Sequence, residues 1–267
     1  MNRADAIGIL DSGVGGLSVM RHIRAALPRE RLIYVADSAH LPYGGKSDLY
    51  IEQRTRLITG FLIEQGACAV VIACNTATAA AAAVLRAEFA LPILGMEPAL
   101  KPALACTKTG VIGVLATAGT LESARFAALL ERYGDGVTIV TRACPGLVEQ
   151  VEKGDLAGPR TRALVESAIQ PLLARGADTI VLGCTHYPFL RTLIGEMAGV
   201  QVTLIDTGEA VARQLCRRLA AELPARERPE QMAELFWTSA APAEVGPVAS
   251  MLWGSQVDVQ HLPADVA

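Results

Sequence analysis

The sequence predicts an α/β protein in which two pseudo-symmetric, doubly wound domains with mostly parallel sheets enclose an active site in the cleft between them. Apolar runs typical of buried strands alternate with helical periodicity along the chain, as parallel sheets require. The pattern restarts near the middle, where residues 110–117 resemble residues 6–12. The spacing between those segments nearly equals the spacing between Cys74 and Cys184, which indicates that one α/β unit is duplicated.

The first half of the chain contains the elements of one such unit in order. Residues 6–10 form an all-apolar run, which predicts a strand buried on both faces, and a tight glycine-rich loop follows at 11–16. Apolar residues then recur at helical spacing from Leu17 to Leu27. The other elements predicted here are strands at 32–36, 69–74 and 92–96 and helices at 47–65 and 78–89.

The second half repeats the order of strands and helices. It opens with the strand at 110–117, and a run at 179–184 corresponds to the strand that ends at Cys74. The other predicted strands lie at 137–142, 202–205 and 235–239, and the predicted helices lie at 121–133, from Pro145 and at 159–175. The last strand either extends the second unit or returns to the first.

Composition and charge limit the functional class. The chain has 267 residues, half of them apolar, and a net charge of −3, which argues against a nucleic-acid partner. No apolar run approaches the roughly 20 residues of a membrane span, and the N-terminus lacks a signal-peptide core. We therefore expect a cytoplasmic protein with a small-molecule substrate and no membrane or nucleic-acid partner.

Two of the six cysteines stand out by position. Cys74 and Cys184 each end an apolar strand and are followed by polar residues, and the carboxyl ends of parallel strands are where open α/β sheets bind ligands. The other four have the properties of small buried apolar residues, namely Cys68, Cys106, Cys144 and Cys216. No C-x-x-C pair is present, and a reducing cytosol disfavours disulfides.

Several cofactor sites fit the sequence less well. The glycine loop approaches a dinucleotide fingerprint, but its third glycine is replaced by Ser18 and Asp11 would face the phosphate. A phosphate loop near Tyr43 would need glycine where His40 stands. Pyridoxal phosphate requires a lysine, and none of the lysines ends an apolar strand: Lys46, Lys101, Lys108 and Lys153.

The sequence leaves three uses of the cysteines open. Cys74, Cys184 and His186 could bind a metal, although their spacing matches no zinc pattern. One cysteine could act as a nucleophile with His186 as base in a hydrolase or amidotransferase, which leaves the second thiol unexplained. Alternatively, one thiolate removes a proton from a carbon while the opposite thiol returns one to the other face, which inverts a stereocentre without a cofactor.

The chain resembles the glutamate racemases, the cofactor-independent branch of the aspartate/glutamate racemases that supplies D-glutamate for peptidoglycan, cell-wall biogenesis and cell shape. The resemblance covers nearly the whole chain and rests on the motifs at 8–17, 42–44, 73–77, 116–120 and 183–188. One departure is Phe126, where many members have tyrosine. Aspartate racemases usually carry an acid where this chain has His186, which favours glutamate as the substrate.

The resemblance also implies residue roles, a domain division and an assembly. It implies catalytic roles for Cys74, Cys184, Asp11, Glu152 and His186, with Glu149 one helical turn from Glu152 as the alternative acid. The implied substrate contacts are Asp11, Ser12, Pro42, Tyr43, Gly44, Asn75, Thr76, Thr117, Thr120, Thr185 and His186. Residues 1–97 with 208–267 would form the first domain and 98–207 the second. The family also implies a homo-oligomer, specifically a dimer, and an enzyme that needs neither cofactor nor metal.

Overall fold

The first of two parallel sheets is formed by strands from both ends of the chain. The computed structural model describes residues 5–222 and 234–267. Within them the strands of this sheet are β1 (Ala6–Asp11), β2 (Arg31–Ala36), β3 (Ala67–Ile72), β4 (Ile93–Leu94), β9 (Glu234–Thr238) and β10 (Val259–His261). Their spatial order is β10-β9-β2-β1-β3-β4, and every pair is parallel.

The second sheet lies in the middle of the chain and has a similar central arrangement. Its strands are β5 (Val111–Ala116), β6 (Thr138–Ala143), β7 (Thr179–Leu182) and β8 (Thr203–Ile205), in the parallel order β6-β5-β7-β8. In both sheets the opening strand lies between the next strand and the one that precedes a key cysteine. The predicted α/β architecture with two parallel sheets is confirmed.

Helices connect these strands and cover both sheets. They are α1 (Leu17–Ala26), α2 (Asp48–Glu64), α3 (Asn75–Glu88), α4 (Leu100–Cys106), α5 (Ala118–Leu121), α6 (Ala124–Tyr133), α7 (Leu147–Glu152), α8 (Pro159–Leu173), α9 (Arg191–Ala198), α10 (Gly208–Glu222) and α11 (Pro242–Trp253). The central strands β1, β3 and β7 are buried along their whole length, which agrees with their continuous apolar sequences. In the ranges that the structure describes, no helix has the length and apolar character needed to cross a membrane.

Capping side chains explain where three helices begin. The Ser47 side chain accepts a hydrogen bond from the Tyr50 amide and starts α2, as predicted. The helix predicted over about 121–133 is present as α6 but begins three residues later, because Ser123 caps it, and the short helix α5, which Thr117 caps, precedes it. The predicted strand at 92–96 is also reduced to Ile93–Leu94.

The C-terminal strands belong to the first sheet. β9 pairs with β2, β10 pairs with β9, and α10 packs against α1, so the chain returns to its first half after the second sheet. This arrangement supports a proposed division into 1–97 with 208–267 and 98–207. Residues 1–4 and 223–233 of the proposed first domain lie outside the described residues.

Candidate active site

Both sheets direct the carboxyl ends of their central strands towards one cavity. Asp11 is the last residue of β1, Cys74 follows β3, Thr117 follows β5 and Cys184 follows β7. The cavity has a volume of about 20 Å³, which is room for about one water molecule. Every predicted substrate-binding residue except Asp11 lines it: Ser12, Pro42, Tyr43, Gly44, Asn75, Thr76, Thr117, Thr120, Thr185 and His186. The two predicted catalytic thiols line it as well.

Cys74 lies on the side of the cavity formed by the first sheet. β3 ends two residues before it, so Cys74 is the N-cap of α3, and its sulfur accepts a hydrogen bond from the Ala77 amide at 3.4 Å. The Cys74 thiol donates to the Ser12 hydroxyl at 3.8 Å. Burial, reinforced by the charge of nearby Asp11, raises the pKa of Cys74 well above its usual value. Cys74 is therefore a protonated thiol at neutral pH and is suited to donate a proton.

Cys184 lies on the opposite side, next to a histidine that an acid holds in place. Its sulfur is 3.7 Å from Nδ1 of His186, and Nε2 of His186 is 2.6 Å from Oε1 of Glu152. Burial alone would lower the pKa of His186, but hydrogen bonds with Cys184 and Glu152 raise it well above the usual value. A protonated imidazole at this distance stabilises negative charge on the Cys184 sulfur, so the two thiols differ in their surroundings.

Asp11 lies beneath the cavity and connects its two sides. Its Oδ2 accepts hydrogen bonds from the Gly16 amide at 2.6 Å and from the Thr185 hydroxyl at 3.4 Å. The carboxyl group is fully buried, and this burial raises its pKa from 3.8 to about 6, although nearby His186 acts in the opposite direction. At neutral pH it is a carboxylate.

Glu152, rather than Glu149, is the acid that contacts the site. The Glu152 carboxylate accepts from both His186 and the Val14 amide, the latter at 2.7 Å, so it joins the second half of the chain to the glycine loop. Glu149 instead lines an adjoining cavity of about 260 Å³. Both acids are on α7, and the way in which this helix packs against the glycine loop decides which one faces His186.

The glycine loop is glycine-rich because it passes directly over Glu152 and His186. A Cβ on Gly13 would lie 2.0 Å from Oε1 of Glu152, and one on Gly15 would lie 2.3 Å from Nδ1 of His186. The loop does not resemble a dinucleotide site in its bonding, because the Val14 and Gly16 amides already donate to carboxylates. A dinucleotide site also needs a free acid at the end of the next strand to bind the ribose, and the residue there, Asp37, is paired with Arg54 at 2.7 Å.

Polar side chains without full partners line one end of the cavity. The hydroxyls of Thr76, Thr117 and Thr120 lie 2.9 to 3.2 Å from one another and link the two halves of the chain. Both polar atoms of the Asn75 amide are buried with no hydrogen-bond partner. Leaving such a group unsatisfied costs about 1–3 kcal/mol, so this end of the cavity is suited to a polar ligand.

The turn Tyr43–Gly45 forms a wall that both cavities share. Pro42 and Gly44 line the small cavity as well as the 260 Å³ cavity beside it, together with Thr117 and Val148. A Cβ on Gly44 would be 3.1 Å from Cβ of Thr117, so the turn lies close to the second half of the chain. The position of this turn therefore sets the shape of the small cavity.

Three contributors to the site were not predicted as site residues. Val148 and Gly183 line the cavity, and the Ser18 hydroxyl donates to the carbonyl of Thr185 at 2.8 Å across the cleft. Gly183 belongs to the motif at 183–188, whereas no sequence signal distinguishes Val148 from other apolar residues. In residues 5–222 and 234–267 there is no group of three or more His, Cys, Asp or Glu side chains that could hold a metal ion.

Comparison with known proteins places this architecture among racemases. A sequence model described as Asp/Glu/hydantoin racemase matches residues 7–215. A glutamate racemase of Methylococcus capsulatus is 57% identical over 262 residues, covering 98% of this chain and 96% of that protein.

Solved structures give the same result. Glutamate racemase isoform RacE1 of Bacillus anthracis superposes with a TM-score of 0.89 at 32% identity, covering 98% of this chain and 99% of that one. Escherichia coli glutamate racemase, solved with L-glutamate and the activator UDP-MurNAc-Ala, has a TM-score of 0.84 at 30% identity, covering 96% of this chain and 97% of that one.

Proposed function

The chain belongs to the Asp/Glu/hydantoin racemase family and racemises glutamate, and we propose that it does so by a cofactor-independent, two-thiol mechanism. The observation that carries the mechanism is the placement of Cys74 and Cys184 in one cavity, each delivered by an equivalent strand of its sheet. A substrate α-carbon between them would have a sulfur on either face. The single-nucleophile alternative leaves Cys74 without a role.

By the assignment that the family resemblance implies, Cys184 acts as the base and Cys74 as the acid in the direction from L- to D-glutamate. The Cys184 thiolate removes the α-proton while the Cys74 thiol gives its own proton to the opposite face, so the carbon is inverted and protons balance. His186, oriented by Glu152, lies 3.7 Å from the Cys184 sulfur and is placed to stabilise a thiolate during the transfer. In the reverse direction the two thiols exchange roles, which requires an acid and a base of the same kind.

The remaining polar groups are assigned to substrate binding. The Asn75 amide, the hydroxyls of Thr76, Thr117 and Thr120, and the backbone of the 42–44 turn are suited to the carboxylates of glutamate. Ser12, Thr185 and the charged Asp11 are suited to the ammonium group. A glutamate bound in this way would satisfy the Asn75 atoms that lack partners.

Circular dichroism of L-glutamate incubated with the purified protein tests the proposal. The protein is first dialysed exhaustively against EDTA, and no cofactor is added. We expect the optical signal to decay to zero as the racemate forms. Loss of activity on dialysis, restored by a metal or by pyridoxal phosphate, would refute the cofactor-independent mechanism.

We predict that glutamate is preferred to aspartate. A substrate shorter by one methylene cannot reach polar groups at both ends of the cavity, and such a difference changes kcat/KM by about 10- to 200-fold. The measurement is kcat/KM for both enantiomers of each amino acid under identical conditions. Equal or higher values on aspartate contradict the prediction.

Ionisation of Asp11 predicts a pH dependence. The folded-state pKa of Asp11 is about 6, so its carboxylate is lost as the pH falls through that value, and with it the charge that we assign to the substrate ammonium. We expect kcat/KM to decline below about pH 6. Asp11→Asn should be less active, and its kcat/KM should not show this decline at acidic pH. Glu149→Gln, which changes a residue of the adjoining cavity, should still show the decline. An unchanged decline in Asp11→Asn would show that another group titrates.

We also propose the biological setting that the family implies. The protein would act in the cytoplasm as a homodimer and would supply D-glutamate for peptidoglycan. The dimer is supported by the family resemblance alone, and sedimentation equilibrium of the full chain tests it.

A further inference from the structure

A buried charge cluster lies directly behind the active site. Asp37 follows β2, is completely buried, and its main-chain amide donates to the carbonyl of Asp11 at 2.9 Å. Asp37 thus lies beside the end of β1 that carries Asp11, although its own side chain does not line the cavity. A buried carboxylate requires partners, because burying an unpaired charge is very costly.

The Asp37 carboxylate accepts hydrogen bonds from one cavity residue and one arginine, and Nε2 of His40 lies 4.0 Å from its Oδ1. The Tyr43 hydroxyl donates to Oδ2 at 2.6 Å. Arg54 of α2 donates through Nε to Oδ2 at 3.0 Å and through Nη2 to Oδ1 at 2.7 Å, in the bidentate geometry that only arginine provides. Burial, followed by the charge of Asp37, raises the pKa of Tyr43, so its phenol stays a neutral donor.

Arg54 is itself held by the last residues of the chain. Its Nη2 donates to the carbonyl of Val266 at 2.8 Å and its Nη1 to that of Ala267 at 3.4 Å. The Val266 side chain is buried in the same apolar cluster as Ile51 of α2 and the ring of Tyr43. Arg54 therefore joins three segments that are distant in sequence.

Tyr43 gives this cluster a connection to the substrate cavity. Its ring is buried and lines the cavity, and its turn carries Gly44, which lies against Thr117 of the second half of the chain. The carbonyl of Gly44 also lies 3.1 Å from where a Cβ on Gly119 would be. A shift of the Tyr43 hydroxyl would move the wall between the two cavities.

We propose that Arg54 is a positioning residue for glutamate: anchored on the Val266 and Ala267 carbonyls, it fixes Asp37, which fixes Tyr43 and the wall of the cavity. The inference rests on the proposed racemase function, since glutamate is the ligand whose binding reports it. The wall contacts the substrate in the ground state and the transition state alike, and no proton passes through Arg54. Its loss therefore weakens binding rather than proton transfer.

Steady-state kinetics of Arg54→Met and Arg54→Lys test the proposal. We expect Arg54→Met to raise KM for glutamate by about tenfold, the factor expected from loss of one well-placed hydrogen bond, while kcat stays within about twofold. Arg54→Lys keeps the charge but not the bidentate geometry, so its KM should be intermediate. The matched control is Arg56→Met, because Arg56 lies on the same helix and, within the described part of the chain, pairs with Glu52 and Glu88 near the surface.

A double-mutant cycle with Tyr43→Phe separates positioning from general stability. If Arg54 acts through the tyrosine hydroxyl, Arg54→Met should raise KM little further in the Tyr43→Phe background. Additive effects on KM overturn the proposal, as does an Arg54→Met protein that melts earlier but keeps the normal KM. If Arg54→Met does not fold, the same cycle is run with Arg54→Lys. A wild-type chain that does not racemise glutamate contradicts the proposed function, whereas an active wild type with an unaffected Arg54→Met contradicts this inference alone.

Discussion

Replacing either Cys74 or Cys184 by serine is expected to lower kcat for racemisation by at least about 10²- to 10⁴-fold, the contribution of a positioned acid or base. Serine keeps the size of the side chain, but its hydroxyl is too weak an acid to exchange protons near neutral pH. Both directions must fail in each variant, because every turnover uses one sulfur as base and the other as acid.

The two variants should nevertheless differ in a half-reaction. Elimination from a β-substituted glutamate needs a base on one face only: the base takes the α-proton and the substituent leaves with its electron pair. By the assignment above, Cys74→Ser retains the base for the L-analogue and Cys184→Ser the base for the D-analogue. Release of the leaving group from each enantiomer, followed separately, measures this selectivity.

Cys106→Ser is the matched control for these variants. The expectation that Cys106 is buried is wrong, because it is exposed at the end of α4, and it should therefore tolerate the change. If one of the two site variants kept near-normal racemisation and lost only stability, that cysteine would be a packing residue. The two-thiol mechanism would then be wrong, and the single-nucleophile hydrolase would become the better hypothesis.

The second large loss of kcat is expected from the substitution Gly15→Ala. A methyl group there would lie 2.3 Å from Nδ1 of His186, well inside van der Waals contact, and His186 is held from the other side by Glu152. We therefore expect the ring to leave its position 3.7 Å from the Cys184 sulfur. A displacement of about 1 Å near reacting groups lowers the rate by about 10²-fold, so we expect a loss in kcat of at least that order.

Gly45→Ala provides the comparison for this change. A Cβ on Gly45 would meet no atom within 4 Å, although the residue belongs to the wall of the adjoining cavity. Gly45→Ala should therefore retain near-normal kcat, and thermal unfolding of both variants checks that each is folded. A folded Gly15→Ala protein with normal kcat would mean that the loop moves instead of His186.

The positions of the two thiols could be predicted from local sequence because buried parallel strands are continuous apolar runs, and ligands gather where such strands end. The choice between Glu149 and Glu152 could not be predicted from local sequence, because both residues lie on the short helix α7. The contacts of α7 with the glycine loop decide which of the two side chains faces His186. The break between α5 and α6 was missed for a similar reason. Ser123 can occupy a helix interior or cap a new helix, and the surrounding fold selects the cap.

The hydrogen bonds that cross the cleft have a kinetic consequence. Ser18 with Thr185, Val14 with Glu152, and Thr76 with Thr117 hold the halves together around a space for about one water molecule. Glutamate is much larger than this space, so we expect some of these bonds to break and the halves to separate before it binds. The observed rate constant for glutamate binding should then reach a plateau at high glutamate concentration. The plateau equals the rate constant for opening of the cleft, because opening and not collision limits binding.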